Sequence, residues 1–140
     1  MSNEHTVKSY EEELRYLIDS VIKMGSLTES QLVDSMDAVI KVDKDSIDKI
    51  IKSDDEINKF RSKIDTQIMT LLVKRAPMAI DLRETISSLK ISQDLERIGD
   101  LSKSNAKKVK PLPLDLPEEL LGNLKRLGDL VIKQLNDVLD

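Results

Sequence analysis

The sequence predicts an all-α protein, a three-helix up-down-up bundle with a fourth helix that begins a second, truncated repeat. Apolar and small residues from Leu14 to Val42 recur at alternating steps of four and three, the spacing of one helix face. From Ile50 to Leu71 isoleucine and leucine recur at steps of seven, which is two helical turns. Short breaks join these long segments, as neighbouring helices in a bundle require. Nothing supports a strand.

The first helix carries its stripe through Leu14, Ile18, Val21, Gly25, Thr28, Leu32, Ser35, Val39 and Val42. Its middle is built of small residues (Gly25, Thr28 and Ser35), which let another helix approach closely. Asp43-Lys44-Asp45-Ser46 breaks the pattern, with Asp45 or Ser46 expected as N-cap of the next helix. The second helix presents Ile50, Ile57, Ile64 and Leu71, with Ile47, Phe60 and Ile68 beside them. The third is expected to start at Pro77, whose missing N–H has no intrahelical partner at a first helical position. Asp81 then falls in the first turn, where its charge complements the helix dipole.

That third helix runs to Val109 and carries two apolar stripes. Leu82, Ile86 and Leu89 form one, which continues through Gln93, Glu96 and Asp100; Ile80, Ile91, Leu95, Ile98 and Val109 lie roughly opposite. After Val109, Lys110–Pro117 holds three of the four prolines of the chain and cannot continue a helix. The expected organisation is a three-helix bundle over 1–109, a linker over 110–116 and a fourth helix over 117–140. The fourth helix repeats the first: Leu17, Ile18, Val21, Gly25, Gln31, Leu32, Asp34 and Asp37 recur as Leu120, Leu121, Leu124, Gly128, Gln134, Leu135, Asp137 and Asp140. The expectation is one three-helix unit plus the first helix of a second, with about 100 residues of the duplicated protein lying beyond it.

Composition removes whole classes of chemistry. The chain has 140 residues and no cysteine, so disulfides, thiolate zinc and cysteine nucleophiles are out, and a cytoplasmic location is expected. One histidine, His5, leaves no histidine-based metal site and no Ser-His-Asp triad. A net charge of −4 with one Phe, two Tyr and no Trp argues against nucleic acid. The polar N-terminus is no signal peptide. No apolar run approaches the roughly 20 residues that span a bilayer, so membrane association is expected only through partners.

Glu96 and Asp100 stand one turn apart on one face of the third helix. Two readings stay open: solvated surface acids, or carboxylates that coordinate a cation. Carboxylates suit magnesium, calcium, manganese or iron and take zinc less selectively. Two ligands are too few, so others must come from Asp34, Asp37 or Asp65, from water, or from another molecule. Arg83 and Arg97 read as surface partners of acids such as Glu84 and Asp94, worth little each. Lys74-Arg75 and Lys107-Lys108 sit near helix C-termini, where positive charge is expected.

Asp54-Asp55-Glu56-Ile57-Asn58, Ile64-Asp65, Ala76-Pro77-x-Ala79-x-Asp81-Leu82-Arg83 and Asp94-Leu95-Glu96-Arg97-Ile98-Gly99-Asp100, with Met24-Gly25 in the first helix, together resemble the PhoU family. The resemblance implies a tandem pair of three-helix bundles and a non-enzymatic regulator of bacterial phosphate uptake and phosphate-starvation signalling. It implies two partners, the ATPase subunit of the phosphate ABC transporter and a sensor histidine kinase kept quiet when phosphate is plentiful. It also implies iron or zinc on Glu/Asp-x-x-x-Asp motifs, here Glu96 and Asp100, with the second such motif outside this chain.

Two other readings compete. A helical scaffold or oligomerisation module would also carry heptad stripes, and the apolar face of the fourth helix must fold back on the bundle or bury itself against another chain. A homodimer is accordingly expected. A ferritin-like di-iron enzyme needs Glu-x-x-His on two helices, which a chain with only His5 lacks.

Overall fold

Heptad spacing over long segments produces long helices. α1 runs Ser2–Lys41, α2 Ile47–Arg75, α3 Ala79–Lys107 and α4 Glu118–Leu139. This computed structural model describes residues 2–140, with side chains from Thr6 onward, so His5 lies outside the described side chains. Among the described residues there is no strand. α1, α2 and α3 each pack on the other two, and α4 lies against α1 alone. Among the described residues no helix is long and apolar enough to cross a membrane.

The seven-residue stripe of α2 is the clearest link from pattern to core. Ile50, Ile57, Ile64 and Leu71 are at most 2% exposed; Ile57, Ile64 and Leu71 cluster with Leu17, Met24 and Leu32 of α1, and Ile50 with Ala38 of α1 and Ala106 of α3. Each such side chain contributes roughly 1.5–3 kcal/mol by leaving water. On α1 the buried surface is wider than the expected stripe, because three helices surround it. Leu17 and Gln31 are fully buried, whereas Ile18 is 37% exposed.

α3 departs from expectation. Ile80, Leu82 and Ile91 are exposed. The buried face is Thr85, Ser88, Ser92, Leu95, Gly99, Ser102 and Ala106, a heptad stripe of mostly small residues. Their size lets α3 pack tightly, and the hydroxyls are satisfied within the helix. Thr85 Oγ1 donates to Asp81 O at 2.8 Å, Ser88 Oγ to Glu84 O at 2.9 Å and Ser102 Oγ to Ile98 O at 2.8 Å.

The helix ends also differ in detail. Ser46 occupies the N-cap of α2 but its side chain does not cap it. Asp43 instead orders the turn that leads into the helix: its Oδ1 accepts from the N–H groups of Asp45 (3.0 Å) and Ser46 (3.3 Å), and Oδ2 accepts from Ser46 Oγ. Pro77 precedes α3 rather than starting it, since the N-cap is the extended Met78. α1 ends in a Schellman turn, Asp43 N–H to Ala38 O at 2.9 Å and Val42 N–H to Val39 O at 3.3 Å. Val42 takes the left-handed position there (φ 50°), and Ala76 does so after α2 (φ 43°). Val42 is held by burial between Ile47 and Val109, where Leu112 and Leu116 of the proline-rich segment also pack.

α4 meets α1 through two glycines. A Cβ on Gly25 would stand 2.7 Å from Leu139 Cδ2, and one on Gly128 would stand 2.5 Å from Met36 Cε. Gly25 and Gly128 are equivalent under the internal sequence offset, and so are Met36 and Leu139. The two contacts are therefore reciprocal, the pattern of a local twofold axis.

Ala76 is exposed and left-handed, a conformation that costs a non-glycine residue about 1–2 kcal/mol. After the added chain entropy of glycine, Ala76→Gly gains a net stability of about 0.5–1 kcal/mol. Thermal unfolding followed by circular dichroism should show a midpoint higher by about 2–4 °C. An unchanged or lower midpoint contradicts the strain argument.

Candidate functional site

Between Ile50 and Ile57, in the apolar register of α2, the sequence places Asp54. The structure buries this carboxylate completely, 0% exposed. An ionised carboxylate inside a protein costs several kcal/mol unless it is paired and hydrogen-bonded. Here donors arrive from all three helices of the bundle. Lys103 Nζ of α3 donates to Oδ2, Asn58 Nδ2 of α2 to Oδ2 at 3.3 Å, and Gln31 Nε2 of α1 to Oδ1 at 3.1 Å. The same Gln31 amide donates to Gly99 O of α3 at 2.9 Å.

Gly99 gives this contact its room. A Cβ there would sit 3.4 Å from Asp54 Oδ1 and 3.3 Å from Ile57 Cδ1, which would have to give by a few tenths of an ångström. One turn on, Ser35 Oγ of α1 donates to Ser102 O at 2.8 Å. The Asp54 carboxylate beside Lys103 holds its ammonium above the ordinary lysine range, first through the hydrogen bond and then through its charge.

The seam continues along α2 and α3. Asp54, Asn58, Arg61 and Asp65 follow steps of four, three and four; Glu96, Asp100 and Lys103 follow four and three, so both sets line one edge. Arg61 Nε lies 3.2 Å from Glu96 Oε2, and Arg61 Nη1 pairs with Asp65. Asp100 is exposed, its carboxylate 3.9 Å from Lys103 Nζ. At the far end of α2, Arg75 forks onto Glu13 of α1 at 2.9 and 3.3 Å and reaches Ser9 Oγ at 2.9 Å.

Glu96 and Asp100 thus share a face, as the spacing predicts, but the charges beside them are Arg61 and Lys103. Asp65 is committed to Arg61. Asp34 and Asp37 line a small polar cavity at the α1–α2 corner with Lys41, Asp43 and Lys49, apart from the seam. Among the described residues no group of three or more His, Cys, Asp or Glu is arranged to hold a metal. Two carboxylates already faced by a guanidinium and an ammonium do not by themselves fit resident iron or zinc. Arg83 and Arg97 are exposed and pair with neither Glu84 nor Asp94 among the described residues.

The residues that pattern reading passed over are Gln31 and Lys103 as partners, and Asp54 as a buried group. The signal was present: Asp54 and Gln31 are polar side chains in apolar core registers.

Fold and seam together define a helical-bundle protein with an internally repeated helix. Residues 21–109 match the PhoU domain. The chain is 39% identical over 138 residues to a Caulobacter vibrioides protein named as a phosphate-specific transport system accessory protein PhoU homolog, covering 98% of this chain and 60% of that one. It is 37% identical to the Rhizobium meliloti protein of the same name, covering 100% of this chain and 60% of that one. The crystal structure of the phosphate transport system regulatory protein PhoU from Streptococcus pneumoniae superposes with a TM-score of 0.83 at 33% identity, over 93% of this chain and 61% of that one. The chain belongs to the PhoU family. It spans about three fifths of the length of these relatives.

Replacing Lys103 by Met keeps the stem and removes the charge, leaving Asp54 buried with two amide donors. The expected loss is about 3 kcal/mol, the low end for breaking a buried pair, because the Lys103 side chain is 25% exposed. Denaturant unfolding of the single variant and of Asp54→Leu with Lys103→Met checks this. The double variant should recover much of the loss; equal losses would show that the pair is not its source.

Stability should also fall at both ends of the pH range. Lys103 is raised by Asp54, so its contribution is complete below the unfolded lysine value, about 10.4, and is lost as pH rises through the higher folded value. Hydrogen bonding from Arg75 lowers Glu13, and hydrogen bonding from Ser46 lowers Asp43. Their contributions are complete above the ordinary carboxylate range and vanish as pH falls through the lower folded values. Unfolding midpoints from pH 2 to pH 12 should trace a plateau with two falling limbs, and Glu13→Gln should flatten the acid limb. A profile that Glu13→Gln leaves unchanged assigns that limb elsewhere.

Proposed function

We propose that this chain acts in a regulator of bacterial phosphate uptake and phosphate-starvation signalling. The observation that carries the reading is its identity, over almost its whole length, with proteins named as accessory to phosphate-specific transport. In this reading it works without catalysis, in the cytoplasm and as a homodimer. It joins the ATPase subunit of the phosphate ABC transporter to a sensor histidine kinase and quiets that kinase when phosphate is plentiful. The 1–109 bundle is one repeat, 110–116 the connection, and 117–140 the first helix of a second repeat. The reciprocal glycine contacts of α1 and α4 support that division. Iron or zinc at Glu96 and Asp100 is proposed only for an assembled form, whose other ligands lie outside these residues.

A helical scaffold without a signalling role is the second reading. It is favoured by the apolar side chains that α4 leaves exposed, among them Leu127, Leu130 and Val138.

Affinity capture on the transporter ATPase subunit separates the two. The chain should be retained from phosphate-replete cells, and a phosphate-starvation reporter should rise when the chain is deleted. Metal bound to the captured form should disappear with Glu96→Gln and Asp100→Asn. Neither retention nor a change in the reporter would leave the scaffold reading.

A further inference from the structure

The acids of α3 near the seam are answered by cations, but the cations on its outer crest are not answered by acids. Arg83, Lys90 and Arg97 are seven residues apart, so they fall on one line about 10.5 Å apart along the helix. At 100° per residue this line is roughly opposite the buried Ser88, Leu95 and Ser102. α3 packs on α1 and α2 and not on α4, so the crest faces solvent, and all three cations are exposed. None makes an ion pair among the described residues. The stretch between them holds Glu84, Asp94 and Glu96, but at 100° per residue only Asp94 falls on the crest, the other two standing roughly 100° or more away from it. On α2, by contrast, the exposed lysines at the same spacing, Lys52 and Lys59, have Asp55 and Glu56 between them. Leu101, 56% exposed, lies on the same line, eighteen residues and five turns from Arg83.

The geometry points to the α3 crest as a docking surface for an acidic amphipathic helix of a partner protein. Carboxylates at seven-residue intervals on such a helix match the cation spacing, and its apolar side chains cover Leu101. Arginine beside exposed apolar surface is the composition that carries interface energy. Uncompensated rim charges also raise the rate of encounter. An anionic membrane fits less well. The chain as a whole carries −4, and a flat surface meets that charge within a Debye length of about 8 Å, whereas one helix laid along the crest meets only the crest. This inference rests on the charge and placement of α3 and not on the phosphate reading.

The test uses a synthetic helix of about 21 residues, long enough to hold its structure, with Glu at every seventh position and Leu beside each. A Glu→Gln version and phosphatidylserine vesicles serve as alternative ligands. Fluorescence anisotropy should show the acidic helix binding this chain, about tenfold more weakly to R83E/K90E/R97E and within about twofold of the parent for K23E/K52E/K59E. The two variants change net charge equally. Circular dichroism checks that both are folded, and R83Q/K90Q/R97Q replaces the first if it is not. Equal losses in both variants, or equal binding of the Gln helix, would overturn the proposal. Vesicle binding without helix binding would assign the crest to membranes instead.

Discussion

Asp54 is a carboxylate without access to solvent, and its burial constrains everything around it. The isoleucines of α2 repeat every seven residues, so Ile50, Ile57, Ile64 and Leu71 present nearly the same surface after a slide of two turns. Apolar packing alone would tolerate such a slide. Asp54 does not, because its partners occupy single places: Gln31 on α1, Lys103 on α3, and the bare backbone of Gly99. A slide would leave a buried charge unpaired, which costs several kcal/mol. A single buried polar group that fixes register at some cost in stability is a known use of such residues, and here it fixes three helices at once.

The same constraint explains why α3 has so few large side chains inside. Its carbonyl at Gly99 must reach Gln31 and its carbonyl at Ser102 must reach Ser35, so the backbone has to come close. Serine, threonine, glycine and alanine allow that approach, and three of the hydroxyls close on carbonyls four residues back. The larger residues Ile80, Leu82 and Ile91 are displaced to the surface. Close approach at one end and polar satisfaction along the length are one requirement.

These causes separate what was legible in the sequence from what was not. Helix number and the core face of α2 follow from the spacing of large apolar residues, and both are seen. The repeat of Gly25 as Gly128 was legible, but it left open whether α4 folds back on the bundle or meets another chain; the structure lays α4 on α1 at those two glycines. The inner face of α3 was not legible, because periodicity weighs large apolar residues and the buried ones are small hydroxyls. The N-cap position of α2 was legible as Asp45 or Ser46 and is Ser46; the hydrogen bonds of Asp43 in the turn before it were not, because Asp43, Asp45 and Ser46 are all competent caps and only geometry chooses among them. At the seam, spacing put Glu96 and Asp100 on one face. It gave no sign that Arg61 arrives from α2 to meet Glu96, since partners across helices depend on rotation and register.

Charge is then sorted by place. Along the α2–α3 seam, Asp54, Asp65, Glu96 and Asp100 each stand near Arg61 or Lys103, so both cations are committed to ion pairs that work as structure. The rigid bundle it secures holds the outer line of α3 straight, with Arg83, Lys90 and Arg97 fixed relative to one another by the helix itself. Surface cations on a mobile loop would lose side-chain and backbone entropy on meeting a partner. On a helix whose opposite face is locked to two neighbours, the backbone part of that cost has been met on folding. The residues that matter for recognition are therefore those the internal network leaves unused, and the network matters because it keeps them in line.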